Sequence, residues 1–207
     1  SFFSDRLAKT PSQTWQAYRD EFLENQTSYV SPYLLASFAQ IESGGNPWAT
    51  PQWEVDFDRP WDKLYAPAST SVGLMQFTNG TYKKAKQYCV HNGNVYKDGP
   101  WHDFKSCWGN FLYSRIWPGH AIEMTAAYLH LEVERLVSQY PQYNFSSNRI
   151  TQVAAITHLC GAGVASRFVQ SRFQLSKTQA CGRHSVYRYV KRVEGLSRVF
   201  ERLHKTL

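Results

Sequence analysis

The sequence predicts a mainly α-helical single domain with little or no sheet, and three observations carry that prediction. Apolar residues recur at spacings of three and four along most of the chain, as they do on helices that bury one face. Several of these runs open on a capping residue or on proline, and several end on glycine. The 207 residues, 43% apolar and 15% aromatic, suffice for one well-filled core, and no repeat, low-complexity tract or linker divides them.

Taken in order, Thr10 and Pro11 open a first helix whose core face is Trp15, Tyr18 and Phe22. A polar break at 25–29 precedes the stretch 31–46, SPYLLASFAQIESGGN. There Ser31 is the N-cap, Pro32 takes the first helical position and Gly44-Gly45 is the stop. Residues 47–70 hold Pro47, Pro51, Pro60 and Pro67 and read as irregular. A short apolar segment at 73–78 leads into a capped helix over about 79–90. Next comes a turn-rich loop at 91–100, with Gly93, Asn94, Gly99 and Pro100. The longest helix is expected over about 119–140, with Ile122, Ala126, Leu129, Val133, Leu136 and Tyr140 as its core stripe. Asn148 is placed as the cap of a helix over 149–160 that Gly161-Ala162-Gly163 ends. A short helix, a loop at 174–182 and a basic terminal helix complete the chain. The terminal helix turns Val186, Val190, Val193, Leu196, Phe200 and Leu203 to one side.

Four cysteines, Cys89, Cys107, Cys160 and Cys181, form no Cys-x-x-Cys pair, so zinc and redox-motif chemistry are disfavoured and two disulfides are expected. Three pairings are open; Cys89 with Cys107 and Cys160 with Cys181 are the local ones. Each would close a loop of about 20 residues and contribute on the order of 3 kcal/mol. No signal peptide is visible at Ser1, and a trimmed mature form would lack one, so the compartment is read from the cysteines as oxidising. No apolar run is long enough to span a membrane, and no stable membrane insertion is expected. The net charge of +7 favours a polyanionic partner, and much of it sits on the last helix. No nucleic-acid-binding motif accompanies those cations, so a nucleic-acid role is not expected. No cofactor or metal is expected either, and the chain is read as a monomer.

The candidate catalytic residue lies at the end of the second helix. Leu35, Phe38 and Glu42 stand at i, i+3 and i+7, on one face that Leu34 and Ile41 broaden into the core. A carboxylate on such a face, in the last turn, meets both burial and the negative end of the helix dipole. Both are expected to raise its pKa, as a general acid near neutral pH requires.

Downstream of Glu42-Ser43 come Ser71-Val72-Gly73-Leu74-Met75-Gln76-Phe77 and then 150–163, ITQVAAITHLCGAG, with Tyr189-Val190-x-x-Val193 later. In that order these resemble the soluble lytic transglycosylases (SLT-type) and goose-type lysozymes. Their pattern is Glu-Ser, Gly-Leu-Met-Gln, Ala-Tyr-Asn-Ala-Gly-x-Gly and a late Tyr-Val pair. The resemblance covers residues 31–193. It implies a lysozyme-like catalytic domain over 31–207, with 1–30 as a helical extension packed on it. It also implies cleavage of peptidoglycan glycan strands between N-acetylmuramic acid and N-acetylglucosamine, with Glu42 as the acid, by a periplasmic or secreted bacterial protein. Gly73, Met75, Gln76 and Phe77 map onto the substrate-cleft segment, and Ser43 onto the serine beside the acid.

Two departures stand out. Thr78 occupies a position where goose-type lysozymes often carry aspartate. His158 and Leu159 replace the tyrosine and asparagine of the third motif. His158 is expected near the acid, and Leu159 removes a candidate contact to the sugar. The long segment before Gly73 concentrates Glu54, Asp56, Asp58 and Asp62 among Trp53, Phe57 and Trp61. Asp56 or Asp58 is therefore a candidate second carboxylate that places water, or the cluster is a site for an N-deacetylated, cationic glycan. Two alternatives remain: a chitosanase- or chitinase-like glycosidase, and a non-catalytic wall-binding protein.

Overall fold

Several of the helices begin at a side-chain cap written into the chain. The computed structural model describes residues 9–46, 73–98, 107–112 and 117–206. Helix α1 (Pro11–Glu24) opens on a reciprocal cap in which Thr10 Oγ1 accepts the Gln13 amide and Gln13 Oε1 accepts that of Thr10. Helix α2 (Pro32–Ser43) opens where Ser31 Oγ accepts the Leu34 amide, and it closes on Gly44 in the left-handed conformation. Trp15 and Phe22 of α1, and Leu34, Leu35 and Phe38 of α2, are fully buried or nearly so.

Helix α3 (Asn79–Ala85) is shorter than expected: it stops at Ala85, and Tyr88–His91 (β1) and Asn94–Lys97 (β2) form an antiparallel hairpin. The reason is local. Asn92 and Gly93 both take positive φ, +50° and +77°, as a type I′ turn requires, and Asn-Gly is the dipeptide that accepts it best. The aromatic and β-branched residues beside that turn then pair as Tyr88 with Lys97, Cys89 with Tyr96 and Val90 with Val95. A disulfide joins Cys89 to Cys107, just before a 3-10 turn at Trp108–Leu112.

Helix α4 (Pro118–Gln139) is the central element, with Ile122, Ala126, Leu129, Val133 and Leu136 buried. Helix α5 (Ser147–Cys160) is capped by Ser146, two residues before the expected Asn148; its Oγ accepts the Arg149 amide. The chain turns at Gly161 and restarts as α6 (Ala162–Gln170). A second short antiparallel pair, β3 (Ala180–Cys181) and β4 (His184–Ser185), leads into α7 (Val186–Thr206), and the Cys160–Cys181 disulfide ties that pair to the end of α5. The two local cysteine pairings are therefore the ones formed. Among the described residues the fold is seven α-helices with two two-stranded ribbons, mainly α with little sheet as the sequence predicts.

Helix α2 is the one this arrangement encloses. It packs most extensively against α7 and α1, and Ser37 Oγ lies 3.1 Å from Ser197 Oγ across the α2–α7 interface. Trp15 sits among Phe22, Tyr33, Phe200 and His204, so α1, α2 and α7 share one core.

Candidate active site

Glu42 occupies the last turn of α2, with its side chain 20% exposed, and three other elements bring groups to it. Tyr189, in the first turn of α7 and on its buried face, donates its hydroxyl to Glu42 Oε1 at 2.5 Å. His158, in the last turn of α5, places Nε2 3.8 Å from the same oxygen, with a side chain only 8% exposed. The Phe38 ring, one turn before Glu42 on α2, stacks on the His158 imidazole at 4.5 Å between centroids and 26° between planes. The fourth element is the short segment around Met75, whose backbone hydrogen-bonds His158.

Burial sets the protonation of both neighbours. It drives the Tyr189 phenol well above its ordinary value; the Glu42 charge and the shared hydrogen bond push the same way, and Arg192 alone opposes. Burial drives His158 below its ordinary value, against the opposing pull of Glu42 and of the Met75 backbone. Around neutral pH Glu42 therefore faces a neutral phenol, whose hydroxyl donates to it, and a neutral imidazole.

The cleft segment is placed by its backbone. Leu74 and Met75 are fully buried and Phe77 is 2% exposed, so these side chains belong to the core. Gln76 is half-buried at a φ of +51°, and its Nε2 donates to the Gly73 carbonyl at 2.8 Å, closing a tight turn from Gly73. Thr78, where an aspartate would have stood, instead caps α3 by accepting the Thr81 amide. Ser43 Oγ bonds back to the Ala39 carbonyl at 2.8 Å, within α2. Leu159 packs half-buried against the core.

The structure thus brings Glu42 and His158 together. It adds Tyr189, which sequence reasoning noted only as part of a Tyr-Val pair and did not count among the site residues. The signal available was its register: Tyr189 lies on the apolar face of the last helix with Val186, Val190 and Val193. Asp56 and Asp58, with Glu54 and Asp62, lie outside the described residues, as do Ser71 and Val72. Among the described residues, no group of three or more His, Cys, Asp or Glu could hold a metal ion. None of the described helices is long and apolar enough to cross a membrane.

No curated protein and no solved structure gives a significant match to the chain. One family does: the transglycosylase SLT domain matches residues 22–155, about two thirds of the sequence, a span holding Glu42 and Gly73 to Gln76 but ending before His158 and Tyr189. On that match, and on a mainly helical fold, the chain belongs to the transglycosylase SLT domain family, whose members cleave peptidoglycan.

Proposed function

We propose that Glu42 is the general acid of a peptidoglycan glycan-strand cleaving enzyme. The observation that carries this reading is the 2.5 Å hydrogen bond from Tyr189 to Glu42 Oε1. It fixes one carboxyl oxygen and leaves Oε2 as the oxygen that carries and delivers the proton. Geometry matters here because a proton donor works only within hydrogen-bond reach of the oxygen it protonates.

In this reading Glu42 protonates the glycosidic oxygen between N-acetylmuramic acid and N-acetylglucosamine. The bond to the anomeric carbon breaks, and an oxocarbenium-like centre forms. In the transglycosylase course the muramyl 6-hydroxyl attacks that carbon and returns its proton to Glu42, giving a 1,6-anhydro product. In the lysozyme course a second carboxylate directs water instead. Thr78 in its capping role favours the first course, since it supplies no carboxylate at that position. The acidic segment with Asp56 and Asp58 keeps the second course as the alternative, together with a preference for N-deacetylated glycan. The two disulfides fit an oxidising, extracytoplasmic setting, where peptidoglycan lies.

Mass spectrometry of muropeptides released from acetylated and deacetylated sacculi distinguishes the courses, because the hydrolytic product is one water heavier than the anhydro product. Glu42→Gln is expected to lower turnover by about 10²–10⁴-fold with the fold intact. Residual activity within tenfold of wild type would remove Glu42 from the role. Asp56→Asn and Asp58→Asn, made separately, are expected to change product or substrate preference only if the acidic segment serves the site.

A further inference from the structure

Helix α7 carries more than Tyr189. Its outward side bears Arg188, Lys191, Arg192, Arg198, Arg202 and Lys205, all exposed. The helix has two acids, and both are already taken: Glu194 by Lys191 at 3.0 Å and Glu201 by Lys205 at 2.8 Å. The four arginines form no salt bridge among the described residues. Their spacings of four, six and four place them within an arc of about 120° and along roughly 21 Å of helix. This stripe begins at the candidate site, since Arg188 and Arg192 stand one position before and three after Tyr189, within one turn of α7. Four guanidinium groups in a row are suited to carboxylates, which they grip bidentately, rather than to a neutral sugar chain.

We propose that this arginine stripe is a docking track for the peptide stems of peptidoglycan, binding their carboxylates while the glycan strand lies at Glu42. The proposal rests on the peptidoglycan reading above and extends it from the glycan to the peptides it carries. A strand seated at the acid trails stems on its lactyl groups, and α7 leads away from the acid with a row of arginines that form no salt bridge among the described residues. The track would hold the enzyme on cross-linked, peptide-bearing wall in preference to bare glycan.

The test separates binding from catalysis. In a Glu42→Gln background, sedimentation with purified sacculi free of phosphate polymers compares the parent with Arg198→Gln/Arg202→Gln, two positions remote from the reacting groups. Each exposed arginine contact is expected to be worth roughly two- to fivefold in affinity, so the double variant should bind about tenfold more weakly. The difference should fade at 1 M salt, where screening is strong. Arg198→Lys/Arg202→Lys should recover only part of the binding, because lysine keeps the charge but not the bidentate grip. With Glu42 intact, the double variant should cleave peptide-free glycan strands at the parent rate.

Unchanged affinity for sacculi overturns the proposal, as does an equal loss on peptide-free strands. It also falls if the substitutions weaken binding to duplex DNA or to anionic phospholipid vesicles but not to sacculi. Failure of the Glu42-intact parent to cleave any glycan would remove the enzymatic reading, while leaving the binding comparison to judge the stripe.

Discussion

Tyr189 is held protonated by burial and by the charge of Glu42, so its hydroxyl donates to Oε1 without competing for the acid's proton. Tyr189→Phe keeps the buried ring and removes only that donor. The expected result is a fall in kcat of about tenfold or more with KM little changed, since an oriented acid matters most in the transition state. A rise in KM at constant kcat would reassign Tyr189 to substrate binding. His158 makes a different prediction, about stability. Its folded pKa lies below the unfolded value of about 6.5, so above that pH both states are neutral and nothing is lost. As pH falls below about 6.5, the unfolded chain takes up the proton first and stability declines, until the folded imidazole is protonated too. His120 and His130 are shifted the same way, again by burial, and add to the slope. In His158→Phe, urea midpoints between pH 7 and pH 5 should therefore fall less steeply than in wild type. An identical slope would show that His158 is not desolvated as described.

At the scale of elements, the candidate site depends on where α5 ends and α7 begins. The Cys160–Cys181 disulfide fastens the last residue of α5, two positions after His158, to the ribbon that feeds α7 and Tyr189. The other disulfide fastens the β1–β2 hairpin, which packs on α4. Alkylation of the native protein without reductant should find no free thiol among the four cysteines. Replacing Cys160 and Cys181 together by serine should cost about 3 kcal/mol in stability, from a loop of about 20 residues. It should also lower turnover on glycan more than the same change at Cys89 and Cys107. Equal effects from the two pairs would mean that the α5–α7 junction does not position the site. The hairpin is where structure and sequence expectation part. The capped helix expected over 79–90 ends at Ala85, because Asn92-Gly93 beside aromatic and β-branched residues is a strong turn signal that pairs the flanking chain as strands.

For the whole molecule, the question is whether the first thirty residues are an appendage. Trp15 is fully buried and packs on residues of α2 and α7 as well as on Phe22. The α1 side also grips the exit of α2: Thr14 Oγ1 donates to Gln40 at 2.5 Å, and Tyr18 and Lys9 donate to the Gly45 carbonyl at 3.3 and 3.1 Å. Gly45 itself has φ +70°, and a Cβ there would lie 2.4 Å from Thr14 Oγ1. We therefore expect α1 to be part of the catalytic unit. Trp15→Ala should cost about 3–5 kcal/mol, as large-to-small changes at buried aromatic positions do. The check is a urea titration, and a loss under 1 kcal/mol would make α1 dispensable.

The sequence by itself determined the helices, most of their starts and stops, their apolar faces and the position of Glu42 on one of them. Those features are encoded within one or two turns of chain, in caps, glycine stops and a period of three and four. Tertiary structure decided the rest. Tyr189 reaches Glu42 across 147 positions, the cysteines chose one pairing of three, and Met75 and Phe77 went into the core. No local pattern specifies these outcomes, because each depends on the angle and register at which separate helices pack. At Glu42 it is that packing that sets which phenol and which imidazole meet the acid.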